Sequence, residues 1–160
     1  MPVQTTYALR IDRAYAGLLD QLNPHETLTR TAEAGDISFG LAVVQGTDPG
    51  QGKLATATAG VFRGITILRH WGTNDINKVL TYKENRDMDL VRSGIIFVKT
   101  EDACVAGDPV FFRHTAGGGG TILGSLRTDA DTATADQISG AAFLEAGIAG
   151  AIVPIRLTWA

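Results

Sequence analysis

The chain has 160 residues, 19 of them glycine, with charged residues at 19% and a formal net charge of −3. That length suits one domain able to bury its own core, and the acidic balance leaves no basic field for releasing counterions from DNA or RNA, so no nucleic-acid partner is expected. A single cysteine, Cys104, excludes an internal disulfide and suits synthesis in a reducing cytosol.

The amino terminus lacks the basic start and apolar stretch of a secretory signal. Residues 1–35 read as an arm, extended or partly helical. Tyr7, Leu9, Ile11, Tyr15, Leu18, Leu19 and Leu22 alternate there with Arg10, Asp12, Arg13 and Asp20, and Gly17 and Asn23-Pro24 keep any helix short. Those seven apolar residues are the candidate partner contacts. Residues 36–160 read as the body, which opens with Ile37-Ser38-Phe39-Gly40-Leu41-Ala42-Val43-Val44, a strand that becomes continuously apolar as it enters a core.

Asp48-Pro49-Gly50 marks a turn, residues 55–58 a polar loop, and Phe62-Arg63-Gly64-Ile65-Thr66 a second strand. Residues 71–85 read as an exposed excursion. A short apolar run over 88–91 precedes Ser93-Gly94 and a strand over 95–99; Gly107-Asp108 then turns into a strand begun by Pro109, where proline is tolerated. The glycine tetrad 117–120 is expected at a hairpin tip, and residues 127–139, rich in Thr, Ala and Asp, as a loop or short helix. The most apolar stretch, 140–155, is broken by Glu145, glycines and Pro154 and is shorter than the roughly 20 residues of a helical span, so no membrane partner is expected and it reads as two buried strands of a closing hairpin. The whole predicts an all-β fold, a jelly roll or a β-barrel or sandwich, with Phe39, Val43, Ile65, Ile96, Val98, Val110, Phe112, Phe143 and Ile155 in the core.

Sites of chemistry are sparse. His25, His70 and His114 lack the local ligand pairing of a metal motif, and Cys104 stands among acidic residues that disfavour its thiolate. No Gly-x-Ser-x-Gly elbow occurs, and the glycine tetrad is not followed by the Lys-Ser/Thr of a phosphate loop. Glu101-Asp102 and the pair Asp87 and Asp89 read as solvated loop carboxylates. Neither a catalytic residue, a metal nor a cofactor is expected. Trp71, Tyr82 and Trp159 offer large amphipathic area, which keeps a carbohydrate- or receptor-binding β module as the alternative function; a cupin-type enzyme ranks third, for want of a histidine cluster.

The block Ala34-Gly35-Asp36-Ile37-Ser38-Phe39-Gly40-Leu41-Ala42-Val43-Val44-Gln45-Gly46-Thr47 is followed in order by Phe62-Arg63-Gly64-Ile65-Thr66, Val91-Arg92-Ser93-Gly94-Ile95-Ile96-Phe97-Val98, Gly107-Asp108-Pro109-Val110-Phe111-Phe112 and Ile152-Val153-Pro154-Ile155-Arg156-Leu157. This series resembles the structural cement proteins of tailed bacteriophages. The resemblance implies a β-barrel or jelly-roll protein, made in the bacterial host cytoplasm, that sits on the outer surface of the phage head and ties neighbouring major capsid protein subunits together. It further implies self-association, as a dimer before a trimer.

Overall fold

One long strand, β7 (Asp87–Lys99), organises the molecule because both halves of the fold pair with it. The computed structural model describes residues 14–57, 60–69, 81–117 and 121–158. In chain order the other strands are β1 (Glu26–Ala32), β2 (Ile37–Ser38), β3 (Ala42–Gln45), β4 (Gln51–Lys53), β5 (Phe62–Thr66), β6 (Thr81–Tyr82), β8 (Pro109–Arg113), β9 (Leu126–Arg127), β10 (Ala135–Phe143) and β11 (Ile152–Leu157). Nine of the strands form one sheet in the order β1-β4-β3-β5-β7-β11-β10-β8-β9, and β1 pairs with β7 as well. The ring β1-β4-β3-β5-β7 is therefore a closed five-stranded barrel. The fold is all-β, as the sequence predicts.

β7 serves two structures by changing phase. Its first half presents Met88 and Leu90 to the small core inside the barrel, with Ala32, Ile37 and Val43. Its second half turns Ile96 and Val98 to the larger core, where they meet Val110, Phe112, Phe143, Val153 and Ile155. Val91 also faces the larger core, so the side-chain parity switches between Val91 and Ile96. Gly94, at φ 128°, lies at that switch, and the β1–β7 register shifts beside it, between Glu26 and Thr27. Such a shift is how a strand re-aims its faces.

β3 is buried on both sides for the same reason. Val43 points into the barrel while Ala42 and Val44 point into the larger core, which accounts for the unbroken apolar run in its sequence. Each fully buried aliphatic such as Ile65, Leu90, Ile96 or Ile155 contributes about 1.5–3 kcal/mol of transfer free energy.

The structure moves several expected boundaries. Residues 26–32, placed in the arm by the sequence, are β1 of the barrel, paired with β7 from Thr27↔Val91 to Thr31↔Asp87. Among the described residues before it, 14–25, none is helical. Gly17 N–H donates to Phe97 O at 2.7 Å, Phe97 N–H to Leu18 O at 2.9 Å and Asp20 N–H to Ile95 O at 2.9 Å, so residues 17–20 lie as an added edge along the second half of β7. Residues 87–99 are one strand rather than two pieces. Residues 135–139, expected as loop or helix, begin β10, because Ala135, Asp136 and Gln137 pair with Arg113, Phe112 and Phe111; a polar segment becomes a strand when a distant partner supplies its hydrogen bonds. Phe39 is half-buried rather than core, its ring edge-on to Tyr82 at 5.1 Å. The closing hairpin is present, with Ala141↔Leu157 and Phe143↔Ile155. The glycines 118–120 lie outside the described residues.

Candidate functional site

Between the barrel and the second half of the sheet lies a groove of about 440 Å³. Ala16 and the turn Phe39-Gly40-Leu41 form one side, and Lys99, Glu101, Ile122 and Ser125 are among the residues of the others. The Ala16–Gly17 wall sits close because both glycines of the contact lack a side chain: a Cβ on Gly17 would stand 3.0 Å from Gly40 N, and one on Gly40 would stand 2.9 Å from Gly17 N. Both carry positive φ, 86° and 74°, a conformation that glycine adopts without strain. Leu68 N–H donates to Gly17 O at 2.7 Å, which fixes the segment at its other edge.

Beneath the groove is an ion network that sequence reading did not find. Arg113 is 1% exposed. Its Nε donates to Glu101 at 2.9 Å and its Nη2 donates to Glu101 Oε1 at 2.6 Å and Asp131 Oδ2 at 2.6 Å, while Nη1 donates to Thr134 Oγ1 at 2.9 Å. Arg127, also buried, reaches Asp129 Oδ1 at 2.7 Å and Asp131 Oδ2 at 3.0 Å. Ser125 Oγ donates to Glu101 Oε2 at 2.9 Å, and Thr128 Oγ1 donates to Asp102 Oδ2 at 2.9 Å. Glu101 and Asp102, expected as solvated loop carboxylates, are therefore partners of two buried arginines. The network also holds a turn in which Asp131, Thr132 and Ala133 all have positive φ, at 39°, 56° and 65°. Three successive non-glycine residues in that region are costly, so the contacts to Asp131 keep the chain where the backbone alone would not.

Burial pushes the Glu101 carboxyl up, but hydrogen bonds from Arg113 and Ser125 and the charges of Arg113 and Arg127 outweigh it, and its pKa lies below the ordinary value. The hydrogen bond from Arg113 holds the Asp131 carboxyl low as well. Groups whose folded pKa is depressed stabilise the fold above their ordinary values, 4.5 and 3.8 here, and lose that contribution as pH falls through the folded values. The thermal midpoint should accordingly stay level from neutrality to about pH 5 and drop below about pH 4, and Glu101→Gln should flatten part of that drop. A midpoint that climbs on acidification would contradict the linkage.

Of the predicted partner contacts, Tyr15, Leu18 and Leu22 are exposed, at 71%, 37% and 96%. Leu19 is a correction: at 9% exposure it packs into the larger core and bridges to Ile96, because the alternation of an extended segment turns it opposite to Leu18. Tyr7, Leu9 and Ile11 lie outside the described residues, as do His70, Trp71 and Trp159. Tyr82 is half-buried, and its hydroxyl donates to Ile67 O at 2.7 Å. His25 Nδ1 lies 3.0 Å from Asn23 O, and His114 is buried with Nδ1 2.9 Å from Thr115 Oγ1. Among the described residues no group of three or more potential ligands is placed to hold a metal, and no helix is long and apolar enough to cross a membrane. Cys104 is buried, its thiol pKa raised first by burial and then by Asp102 and Asp108, and its Sγ lies 3.7 Å from Glu145 O.

Comparison with known proteins gives a consistent picture. A family model described as structural cement protein (E217 gp24/Pam3 gp6) matches residues 3–158. Among solved structures, a chain of the capsid of Myoviridae phage XM1 shares 16% identity at a TM-score of 0.77, over 99% of this chain and 98% of that one; the two share a fold. The head fiber gp8.5 N base of bacteriophage phi29 is similar at 12% identity and a TM-score of 0.44, over 84% and 95% of the two chains, too distant to support an argument. No curated protein matches.

Proposed function

We propose a capsid-bridging role on this premise: the chain belongs to the phage structural cement protein family and is a structural protein of the virion. In our reading it binds the outer surface of the phage head and ties neighbouring major capsid protein subunits together, as a small oligomer, a dimer before a trimer. The observation that carries the proposal is the extent of the family match, which spans both the barrel and the second half of the sheet. A bridging protein needs separated contact surfaces on a rigid body, and many weak contacts suffice when a lattice supplies effective concentration.

Tyr15, Leu18 and Leu22 are the capsid contacts of this reading. They stand on a segment pinned along β7, so their exposure is built into the body and burying them against a partner costs little ordering. Tyr7, Leu9 and Ile11 extend the same set along the sequence. The direct test is co-sedimentation of the purified protein with undecorated heads, followed by heat or chaotrope challenge. Saturable binding that raises particle resistance is expected. Replacing Tyr15, Leu18 and Leu22 together with serine should weaken binding by at least about tenfold, equivalent to about 1.4 kcal/mol, with the thermal midpoint of the free protein unchanged. Wild-type binding by the triple variant would remove the segment from the interface, and no binding of the wild type to competent heads would overturn the role.

A further inference from the structure

β1 offers a short, self-complementary strand edge. Thr31 N–H donates to Gly50 O and Glu33 N–H to Gly52 O on the β4 side, whereas Ala32 N–H donates to Arg86 O toward the β7 strand. Peptide groups alternate between the two edges of a strand, so those of Thr27 and Thr29 point the same way as Thr31, away from β7. β4 meets β1 only at Thr31↔Gln51 and Ala32↔Gly52, and among the described residues no strand pairs with the outer edge of 26–30. At the other end the strand begins at Glu26, and His25 before it packs so closely on β7 that a Cβ on Gly94 would stand 2.7 Å from His25 Cβ. The open edge thus runs from Glu26 to Arg30, with Leu28 at its centre.

We propose that this edge pairs with the same edge of a second copy, antiparallel about a two-fold axis through Leu28. In that register Thr27 and Thr29 exchange both backbone hydrogen bonds with Thr29 and Thr27 of the other copy. Glu26 falls opposite Arg30, and Arg30 opposite Glu26, on one face of the joined sheet. The two charges stand equally far from Leu28, which is the condition for isologous pairing, and opposite charges directly across an antiparallel ladder favour it. The side chain of Arg30 is available for this: Nη1 donates to Thr29 O at 3.0 Å, a carbonyl of the same edge, and its buried Nε has no hydrogen-bond partner. Glu26 is 56% exposed at its side chain, 3.3 Å from Arg92 Nη1, and has room for a second guanidinium. Leu28, partly buried against the barrel core, meets its symmetry mate.

The proposal makes specific the self-association in the functional reading above, and its test separates the two. Directly opposed residues of the non-hydrogen-bonded class stand with Cα atoms about 4.5 Å apart, a spacing that a disulfide accepts. Leu28→Cys in the full chain is expected to form a covalent dimer under mild oxidation several-fold faster than Thr27→Cys, which would face Thr29 of the other copy instead of itself. Adding Arg30→Glu to Leu28→Cys should slow the trapping, and adding Glu26→Arg to that double variant should restore it. Equal rates for the two cysteine variants, or no rescue by the charge exchange, would overturn the edge pairing. If the edge fails while the wild type still pellets with heads, the cement role stands without it; if trapping succeeds but heads are not bound, the dimer stands and the cement role falls.

Discussion

Arg113→Ala is expected to lower the unfolding free energy by about 3–5 kcal/mol, the usual cost of removing one partner from a buried ion pair. The guanidinium is 1% exposed and makes contacts with Glu101, Asp131 and Thr134. Without it Glu101, whose side chain is 20% exposed, keeps a charge that burial disfavours. Asp131 loses its 2.6 Å contact and the left-handed turn over residues 131–133 loses much of its restraint. Arg127 cannot compensate alone, because its nearest approach to Glu101 is 3.6 Å. Arg113→Lys should recover little, since an ammonium cannot donate in two directions from one plane. Urea unfolding of the two variants measures both effects. A loss below about 1 kcal/mol for Arg113→Ala, near the mean for an arbitrary substitution, would show that the network is not what holds this end of the sheet.

The outline of the fold was legible in the sequence where a local signal coincided with a tertiary requirement. Gly107-Asp108-Pro109 read as a turn into a strand, and it is one: Asp108 Oδ2 accepts from Val105 N–H at 2.9 Å, Gly107 has φ 96°, and Pro109 begins β8. The apolar runs of β3, β5 and β11 likewise announced buried strands. β10 was hidden because its first residues are polar and take their conformation from β8, a partner more than twenty positions away. β1 was hidden because Thr27, Thr29 and Thr31 occupy one face while the charged Glu26 and Arg30 flank Leu28 on the other, which made it read as part of an arm.

The polar interior was less legible still. Val110 and Phe112 of β8 alternate inward as expected, but Arg113, next in line and due to face outward, is buried by Glu101 and by the turn at residues 131–134. Nothing in Phe111-Phe112-Arg113-His114 signals that enclosure, since the carboxylates that make it tolerable are brought in from other parts of the chain. For the partner surface, period two explains why Leu18 and Leu19 part company: a helical reading groups them, whereas an extended segment sends one to solvent and the other into the core.

The second large effect is expected from one methyl group in the shared sheet. Gly64 lies in β5 at φ 151°, and a Cβ there would stand 2.6 Å from Val91 O and 3.0 Å from Leu90 Cβ. Neither neighbour can yield cheaply: Leu90 and Val91 are fully buried, and Ile65↔Val91 and Thr66↔Leu90 are the pairings that close the barrel onto β7. Gly64→Ala should therefore cost about 3–5 kcal/mol, combining overpacking with a backbone region that L-residues rarely adopt. Gly50→Ala serves as the comparison, because a Cβ there meets nothing within 4 Å, and it should change stability by less than about 0.5 kcal/mol. The consequence reaches the surface. β7 pairs with β5 in its first half and with residues 17–20 in its second, so forcing β5 away from β7 should also loosen the segment that presents Tyr15, Leu18 and Leu22. Hydrogen exchange on Gly64→Ala is expected to show faster exchange at Gly17 and Asp20, whose amides bond to Phe97 and Ile95, than in Gly50→Ala. Full protection of those amides in a destabilised Gly64→Ala would mean that the barrel and the capsid-contact segment are held independently.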